Sequence, residues 1–129
     1  MNLLFISSRN QERSLTAKAI FSNYPDLNVK SAGTEDVAGT AINRKLLSWA
    51  DLILVMEQKH KTYLLQHVGE KIKTKKIMVL DIPGVYRYKQ PELIEELKDK
   101  INPYLQAYLG FRAPAKKRYS FTTEERNND

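Results

Sequence analysis

The chain of 129 residues has the length of a single domain, and its 42% hydrophobic and 28% charged residues are ordinary for a soluble globular protein. It contains no cysteine, which excludes disulfides, thiolate metal sites and every thiol-based reaction, and its two histidines do not favour a zinc centre. A net charge of +6 favours an acidic or phosphorylated partner, including an acidic protein.

The basic residues lie in separate elements without interleaved aromatic residues. The main clusters are residues 59–61, 71–76 and 116–118. Solvated surfaces explain them better than a nucleic-acid interface does, so we do not expect nucleic acid as a partner. No run approaches the ~18 apolar residues of a membrane span, and the N-terminus lacks a signal-peptide pattern. We therefore expect a cytoplasmic protein without membrane contact and without a cofactor.

Strands alternate with helices along the chain. The sequence predicts strands at 3–6, 27–32, 51–56 and 76–80, and helices over 13–24, 39–50, 58–68 and from Pro91 onward. We expect Pro103 to kink or restart the last helix near Asn102. This alternation predicts an α/β fold in which a four-stranded parallel sheet is flanked by helices on both faces.

The helical spacing also predicts which side chains are buried. On the second helix the expected buried face is Ile42, Leu46, Trp49 and Ala50. The lysine-rich residues 70–76 are expected to form a surface connection. Because the apolar pattern ends near residue 110, we expect a domain over residues 1–110 and a basic, polar tail over 111–129.

The polar run that follows the first strand is the main candidate for a functional site. It consists of Ser7, Ser8, Arg9, Asn10, Gln11, Glu12, Arg13 and Ser14. A loop between the end of a strand and the start of a helix gathers unpaired N–H groups and the positive end of the helix dipole, which suit an anion. Arg13 adds a cationic fork for two phosphate oxygens. The sequence therefore predicts a phosphate-binding loop.

The spacing Ser7-x5-Arg13-Ser14 resembles the phosphate-binding loop Cys-x5-Arg-Ser of the low-molecular-weight protein tyrosine phosphatases, and of the arsenate reductases that share their fold. The similarity is greatest to a compact bacterial branch and continues to residue 109, through residues 31–34, 49–51, 55–57, 82–83, 86–88 and 91–93. The resemblance implies that Ser31 braces the loop and that Tyr86 and Tyr88 lie at the rim of the pocket.

The chain departs from this family at the nucleophile, because Ser7 stands where the family has cysteine. A cysteine thiol has a pKa of about 8.5, and a helix terminus and an arginine readily lower that pKa. A serine hydroxyl needs an adjacent base to become a nucleophile. Neither histidine is near Ser7 in sequence, and we interpret His60 and His67 as structural. We expect Ser7 to hold phosphate without attacking it.

Two more departures concern carboxylates. The place of the family's general acid falls on Gly84, or at best Val85, and neither donates a proton. Asp81, three residues earlier, is a candidate substitute acid, although a strand-end aspartate more commonly bonds loop amides. Glu12 adds a negative charge to a loop position that is usually uncharged in the family. It weakens dianion binding only if it points into the pocket, and we expect it to point outward.

These departures favour a catalytically inactive, phosphate-binding relative, whose ligand is phosphate, sulfate, phosphotyrosine or a small phosphoester. The alternatives are an active hydrolase that uses Ser7 or a water with Asp81 as acid, and a Cys-to-Ser trapping variant of an active tyrosine phosphatase. A third alternative is an interaction module with a vestigial loop and a basic surface.

Overall fold

The computed structural model describes residues 1–35 and 40–109. Its strands are β1 (Asn2–Ser7), β2 (Asn28–Gly33), β3 (Leu52–Val55) and β4 (Lys76–Val79). Its helices are α1 (Arg13–Phe21), α2 (Arg44–Trp49), α3 (Gln58–His67) and α4 (Pro91–Leu109), with a short 3₁₀ helix at Glu70–Thr74. Met1–Lys98 form one compact unit. The expected boundary near residue 110 and the expected tail lie outside the described residues.

The four strands form one parallel sheet in the order β2-β1-β3-β4. On β1, Leu4 lies opposite Lys30 of β2 on one side and Ile53 of β3 on the other. The two central strands carry nearly continuous apolar runs, as expected for strands that are covered on both faces. The predicted α/β fold with a four-stranded parallel sheet is confirmed.

Alternate side chains of β1 contact helices on opposite faces of the sheet. Phe5 stacks on Phe21 of α1, with ring centroids 5.7 Å apart. Leu4 and Ile6 point the other way, into a buried cluster with Leu47 of α2 and with side chains of β3, α3 and the 3₁₀ helix. The sheet is thus covered on both faces, and this burial is what stabilises the strands that carry the loops.

The expected buried face around α2 does lie against the core. Ala50 is buried, and Ile42, Leu46 and Trp49 are partly buried against the same cluster, which also contains Leu47. The Lys30 ammonium lies 4.6 Å from the centroid of the Trp49 ring. One expectation about burial needs correction. Residues 70–76 are expected from the sequence to form a surface connection, but Ile72 in this segment is buried in the core.

The last helix also differs from the expectation. α4 continues from Pro91 to Leu109 with Pro103 inside it, so the helix does not restart near Asn102, and the alternative of a kink there stays a prediction. Proline removes one backbone hydrogen bond, but the helical turns on either side remain assigned as one element. No helix in the described part of the chain is long and apolar enough to cross a membrane.

The strand order places several loops at one end of β1. The chain runs from β1 to β2 on one side and then to β3 on the other, so the order reverses at β1, where parallel sheets commonly bind ligands. Backbone bonds continue the ladder past the strand ends, from Leu80 N to Val55 O (2.8 Å) and from Ile82 N to Met56 O (2.8 Å). The loop after β4 is thereby brought towards the loop after β1.

Candidate anion-binding site

A cavity of about 120 Å³ lies at the carboxyl end of β1. We call it the anion cup. It is lined by Ser7, Ser8, Arg9, Gln11, Glu12, Arg13, Gly84 and Tyr86. Six of these residues belong to the loop predicted from sequence, and the other two come from the loop after β4. Two larger cavities, of about 180 Å³ each, lie beside α2 and contain none of the predicted site residues. One is also lined by residues of α3, and the other by residues between Val68 and Lys75.

The Ser7 hydroxyl is part of a buried chain of hydrogen bonds. Its Oγ lies 2.7 Å from the Oγ of Ser14 and accepts the Asn10 backbone N–H at 3.1 Å. The Ser14 hydroxyl donates to Asn10 Oδ1 at 2.6 Å. Because Ser14 has a single hydroxyl proton and an amide oxygen only accepts, Ser7 must be the donor to Ser14. This series of hydrogen bonds therefore ends at the Asn10 amide oxygen, which is not a base that could activate Ser7.

The backbone of the loop is held from the side of β2. Thr34 N–H donates to the Ser7 carbonyl at 3.0 Å, and Glu35 N–H donates to the Ser8 carbonyl at 2.9 Å. Asn10 has a φ of 56°, a left-handed conformation that asparagine tolerates, and its side-chain amide lies 3.5 Å from the Ser31 carbonyl. These contacts fix the path of the chain between Ser7 and α1.

Arg13 begins α1 and is nearly buried, with 8% of its surface exposed. Its Nη1 donates to Glu57 Oε2 at 2.5 Å and to the Ile82 carbonyl at 2.6 Å. Within the described residues, Nε and Nη2 have no protein acceptor. A β-carbon on Gly84 would lie 3.2 Å from Nη2, 3.4 Å from Cζ and 3.8 Å from Nε, which places it over the face of the guanidinium and not at its N–H edge. Arg13 thus retains two N–H directions for an anion.

Glu57 and His60 support the loop from the start of α3. They form a capping box, in which the Glu57 backbone N–H donates to His60 Nδ1 at 3.0 Å. The His60 Nε2 lies 3.0 Å from Ser8 Oγ. From the sequence, His60 is expected to be structural, and its contact with Ser8 is not predicted. The spacing Glu57-x-x-His60 at a helix start was the available signal, since it is a variant of the capping-box pattern.

The protonation states of this pair follow from burial and from Arg13. Burial and the Arg13 charge lower the pKa of His60 from 6.5 to about 4, although the Glu57 carboxylate raises it. The ring is therefore neutral at pH 7, and because Nδ1 accepts a hydrogen bond, the proton is on Nε2. Burial raises the pKa of Glu57, but the hydrogen bond from Arg13 and its charge outweigh burial and lower it.

The rim of the anion cup carries one charge without a partner. Arg9 Nε pairs with Glu35 Oε1 at 3.1 Å, and both side chains are exposed. Glu12 is exposed, and its carboxylate makes no hydrogen bond or ion pair within the described residues. The Tyr86 hydroxyl donates to Glu96 Oε1 at 2.9 Å, and this bond raises the pKa of Tyr86. The sequence favours an outward direction for the Glu12 side chain; the residue lines the cup and is exposed.

Other predicted site residues lie outside the lining of the cup. Asn10 and Ser14 are buried behind Ser7 and act on it through hydrogen bonds. Tyr88 is 50% exposed and is absent from the lining, unlike Tyr86. Asp81 is exposed at the end of β4 with a φ of 59°, and it does not line the cup either. Among the described residues, no group of three or more histidine and acidic side chains could hold a metal ion.

Comparisons with known proteins identify the fold. No protein-family model matches the chain, and no curated protein sequence matches it. Among solved structures, the tyrosine phosphatase Wzb from Escherichia coli K30, in complex with phosphate, superposes with a TM-score of 0.69 at 20% identity. The alignment covers 83% of this chain and 97% of that one.

Two further structures are similar. One is a Cys-to-Ser mutant of the YwlE arginine phosphatase with a phosphorylated active-site serine, with a TM-score of 0.66, 22% identity, and coverage of 87% of this chain and 100% of that one. The other is the low-molecular-weight protein tyrosine phosphatase from T. tengcongensis, with a TM-score of 0.64, 21% identity, and coverage of 83% and 99%. At these identities the likeness establishes the fold.

The lowered pKa of His60 predicts a pH dependence of stability. Between pH 6.5 and about 4 the unfolded chain binds a proton at His60 that the folded chain does not. The free energy of unfolding should therefore fall as the pH is lowered, by up to about 1.4 kcal/mol per pH unit. Urea denaturation between about pH 5 and 6.5 measures this slope and avoids the range in which the carboxylates protonate.

In the test variant His60→Gln, the free energy of unfolding should depend less on pH. The control variant His67→Gln should keep the pH dependence that His60 contributes. An unchanged slope in His60→Gln would show that the ring titrates alike in the folded and unfolded chains.

Proposed function

Because the chain has the fold of the low-molecular-weight protein tyrosine phosphatases, we propose that it binds phosphate or a phosphorylated side chain in the anion cup without hydrolysing it. The observation that carries this proposal is the direction of the Ser7 hydrogen bonds. The hydroxyl donates to Ser14, and that chain ends at the Asn10 amide oxygen, while Arg13 keeps two N–H directions for a ligand.

Several features support anion binding. The cup lies at the N-terminus of α1, where the first backbone N–H groups have no partner within the helix. Arg13 is fixed by Glu57 and the Ile82 carbonyl, so little side-chain entropy is lost when an anion binds. Among the similar structures, Wzb holds phosphate and the YwlE mutant carries a phosphoryl group on a serine in the active site. The phosphoserine of that mutant means that a serine in this fold can take up a phosphoryl group, so the absence of turnover proposed for this chain rests on the direction of the Ser7 hydrogen bonds and not on the residue type alone.

The cup lacks both a base for the nucleophile and an acid for the leaving group, which supports the absence of turnover. A serine nucleophile requires a base within hydrogen-bond reach, and Ser7 instead contacts a hydroxyl and a backbone N–H. A leaving group requires a proton donor, and Gly84 supplies none. The carboxylate in the lining, Glu12, is an exposed group at the mouth. Both steps of phosphoester hydrolysis therefore lack a suitable residue, which favours an inactive phosphatase-like protein.

The alternative of an active hydrolase depends on Asp81 as the acid. Asp81 is outside the lining of the cup, so a rearrangement of the loop after β4 would be needed to bring it to a leaving group. In that case Asp81→Asn should reduce turnover by a factor on the order of 10²–10⁴. An interaction module with a vestigial loop would instead bind its partner in a salt-sensitive way that is indifferent to phosphate and to Arg13.

The charges around the cup favour a ligand with a positive group beside its phosphoryl group. Arg13 is paired with Glu57, Arg9 is paired with Glu35, and Glu12 at the mouth is unpaired. A second negative charge near 4 Å costs a dianion about 1 kcal/mol in water and about 4 kcal/mol at an effective dielectric of 20. A phosphorylated arginine carries a guanidinium next to its phosphoryl group, and several similar structures are of arginine phosphatases. We therefore add phosphoarginine to the candidate ligands beside phosphotyrosine.

The first test is the loss of anion binding in Arg13→Ala. Charge-assisted hydrogen bonds contribute about 1.5–3 kcal/mol each, so removing the guanidinium should weaken phosphate binding on the order of 100-fold or more. Isothermal titration with inorganic phosphate measures the affinity. Arg87→Ala, an exposed arginine outside the cup, is the matched control and should bind as the original chain does. Undiminished binding by a folded Arg13→Ala variant would refute the assignment of the cup.

The second test concerns the unpaired charge at the mouth. Glu12→Gln should raise the affinity for phosphate and for a phosphotyrosine peptide about fivefold, because about 1 kcal/mol of repulsion is removed. The same change should lower the affinity for a phosphoarginine peptide, since an attraction is lost. Glu95→Gln, an exposed carboxylate on α4 outside the cup, should alter neither. A parallel change in both affinities would contradict a role for Glu12 in selecting the ligand.

The third test restores the nucleophile. Ser7→Cys should produce little or no turnover of phenyl phosphate, whose leaving group needs a proton that Gly84 cannot give. Release of phenol over many turnovers is the measurement. Rapid hydrolysis after this single change would mean that the remaining machinery is intact and that the chain is a trapping variant of an active phosphatase. The original chain, which we expect to be inactive, serves as the baseline.

A further inference from the structure

Ser8 and His60 form a pair at the edge of the anion cup to which the proposed function assigns no role. His60 is buried, with 1% of its surface exposed, while Ser8 lines the cup. Their contact joins the start of α3 to the loop after β1 across 52 positions of sequence. We propose that His60 is a positioning residue that fixes the Ser8 hydroxyl as a hydrogen-bond donor to the bound phosphoryl group. This inference rests on the proposed binding of an anion.

The direction of the hydrogen bonds follows from the Glu57 backbone. Its N–H donates to His60 Nδ1 at 3.0 Å, so Nδ1 carries a lone pair and the neutral ring has its proton on Nε2. Nε2 therefore donates to Ser8 Oγ, which is 3.0 Å away. The Ser8 hydroxyl accepts this bond and retains its own proton. That proton has no acceptor within the described part of the chain, and it is available to a ligand in the cup.

Little freedom remains for Ser8 to turn elsewhere. Its carbonyl accepts the Glu35 N–H at 2.9 Å, which holds the backbone, and the ring of His60 occupies one side of its hydroxyl. Because Ser8 lines the cavity, we infer that its remaining donor direction serves an anion bound there. A hydroxyl that donates to a phosphoryl oxygen makes a charge-assisted hydrogen bond, which is stronger than a bond between neutral groups.

The two serines of the loop therefore have opposite roles. Ser7 gives its proton to Ser14, away from a ligand, whereas Ser8 keeps its proton for the cup. Glu57 connects this arrangement with the arginine, because its carboxylate holds Arg13 and its backbone holds His60. The start of α3 thus orients two groups that we propose contact the anion. The Glu57 carboxylate orients Arg13, and the His60 ring orients the Ser8 hydroxyl.

The test is a double-mutant cycle with inorganic phosphate as the probe, measured by isothermal titration. Ser8→Ala should weaken binding about tenfold, the effect of a lost hydrogen bond to a charged group. His60→Ala should weaken it to a similar extent, and the double variant should be no weaker than either single one. His60→Gln, whose amide can donate to Ser8, should recover part of the affinity. His67→Ala, on the exposed far end of α3, is the matched control and should bind normally.

A second measurement separates positioning from a merely structural role. Nitrogen chemical shifts of His60 should report the tautomer protonated at Nε2, with and without phosphate, even if His60→Ala does not fold. A ring protonated at Nδ1, additive effects in the cycle, or full affinity in Ser8→Ala would overturn the inference while Arg13-dependent binding persists. If the original chain does not bind phosphate, the proposed function fails and this inference fails with it.

Discussion

The ion pair between Arg13 and Glu57 is the contact on which the site depends. A nearly buried guanidinium is costly unless it is paired and hydrogen-bonded, and here one nitrogen has both a carboxylate and a carbonyl within 2.6 Å. Glu57 follows β3, Ile82 follows β4, and Arg13 is the first residue of α1, where the loop after β1 ends. Satisfying this single charge therefore joins the segments that follow three strands at the carboxyl edge of the sheet. The geometry of the cup is a consequence of that requirement.

Replacing a thiolate by a hydroxyl changes more than reactivity. A thiolate accepts hydrogen bonds only, whereas a hydroxyl brings a proton that needs an acceptor of its own. In this chain the proton of Ser7 goes to Ser14, and the proton of Ser14 goes to the Asn10 amide oxygen. The buried polar groups behind the cup are thereby satisfied without any charge. The arrangement is well suited to hold the loop in place and poorly suited to generate a nucleophile.

The sequence predicted the parallel sheet and the position of the loop because both depend on local patterns. Apolar runs mark buried strands, and the spacing from Ser7 to Arg13 places the polar residues between a strand and a helix. The roles of Glu57 and His60 were missed because their partners lie 44 and 52 positions away, and only the folded sheet brings them together. Tyr86 lines the cup and Tyr88 does not, a difference that depends on the path of the loop. The burial of Leu47 depends likewise on the orientation of its helix, and residue type alone determines neither.

Gly84 limits how such a site can change over time. A side chain at this position would begin 3.2 Å from Nη2 of Arg13, whose Nη1 is held by Glu57 and by the Ile82 carbonyl. A β-carbon at position 84 therefore requires either the Arg13 side chain or the loop after β4 to give by a few tenths of an ångström. Any substitution of Gly84 is thus coupled to the placement of the arginine that lines the cup.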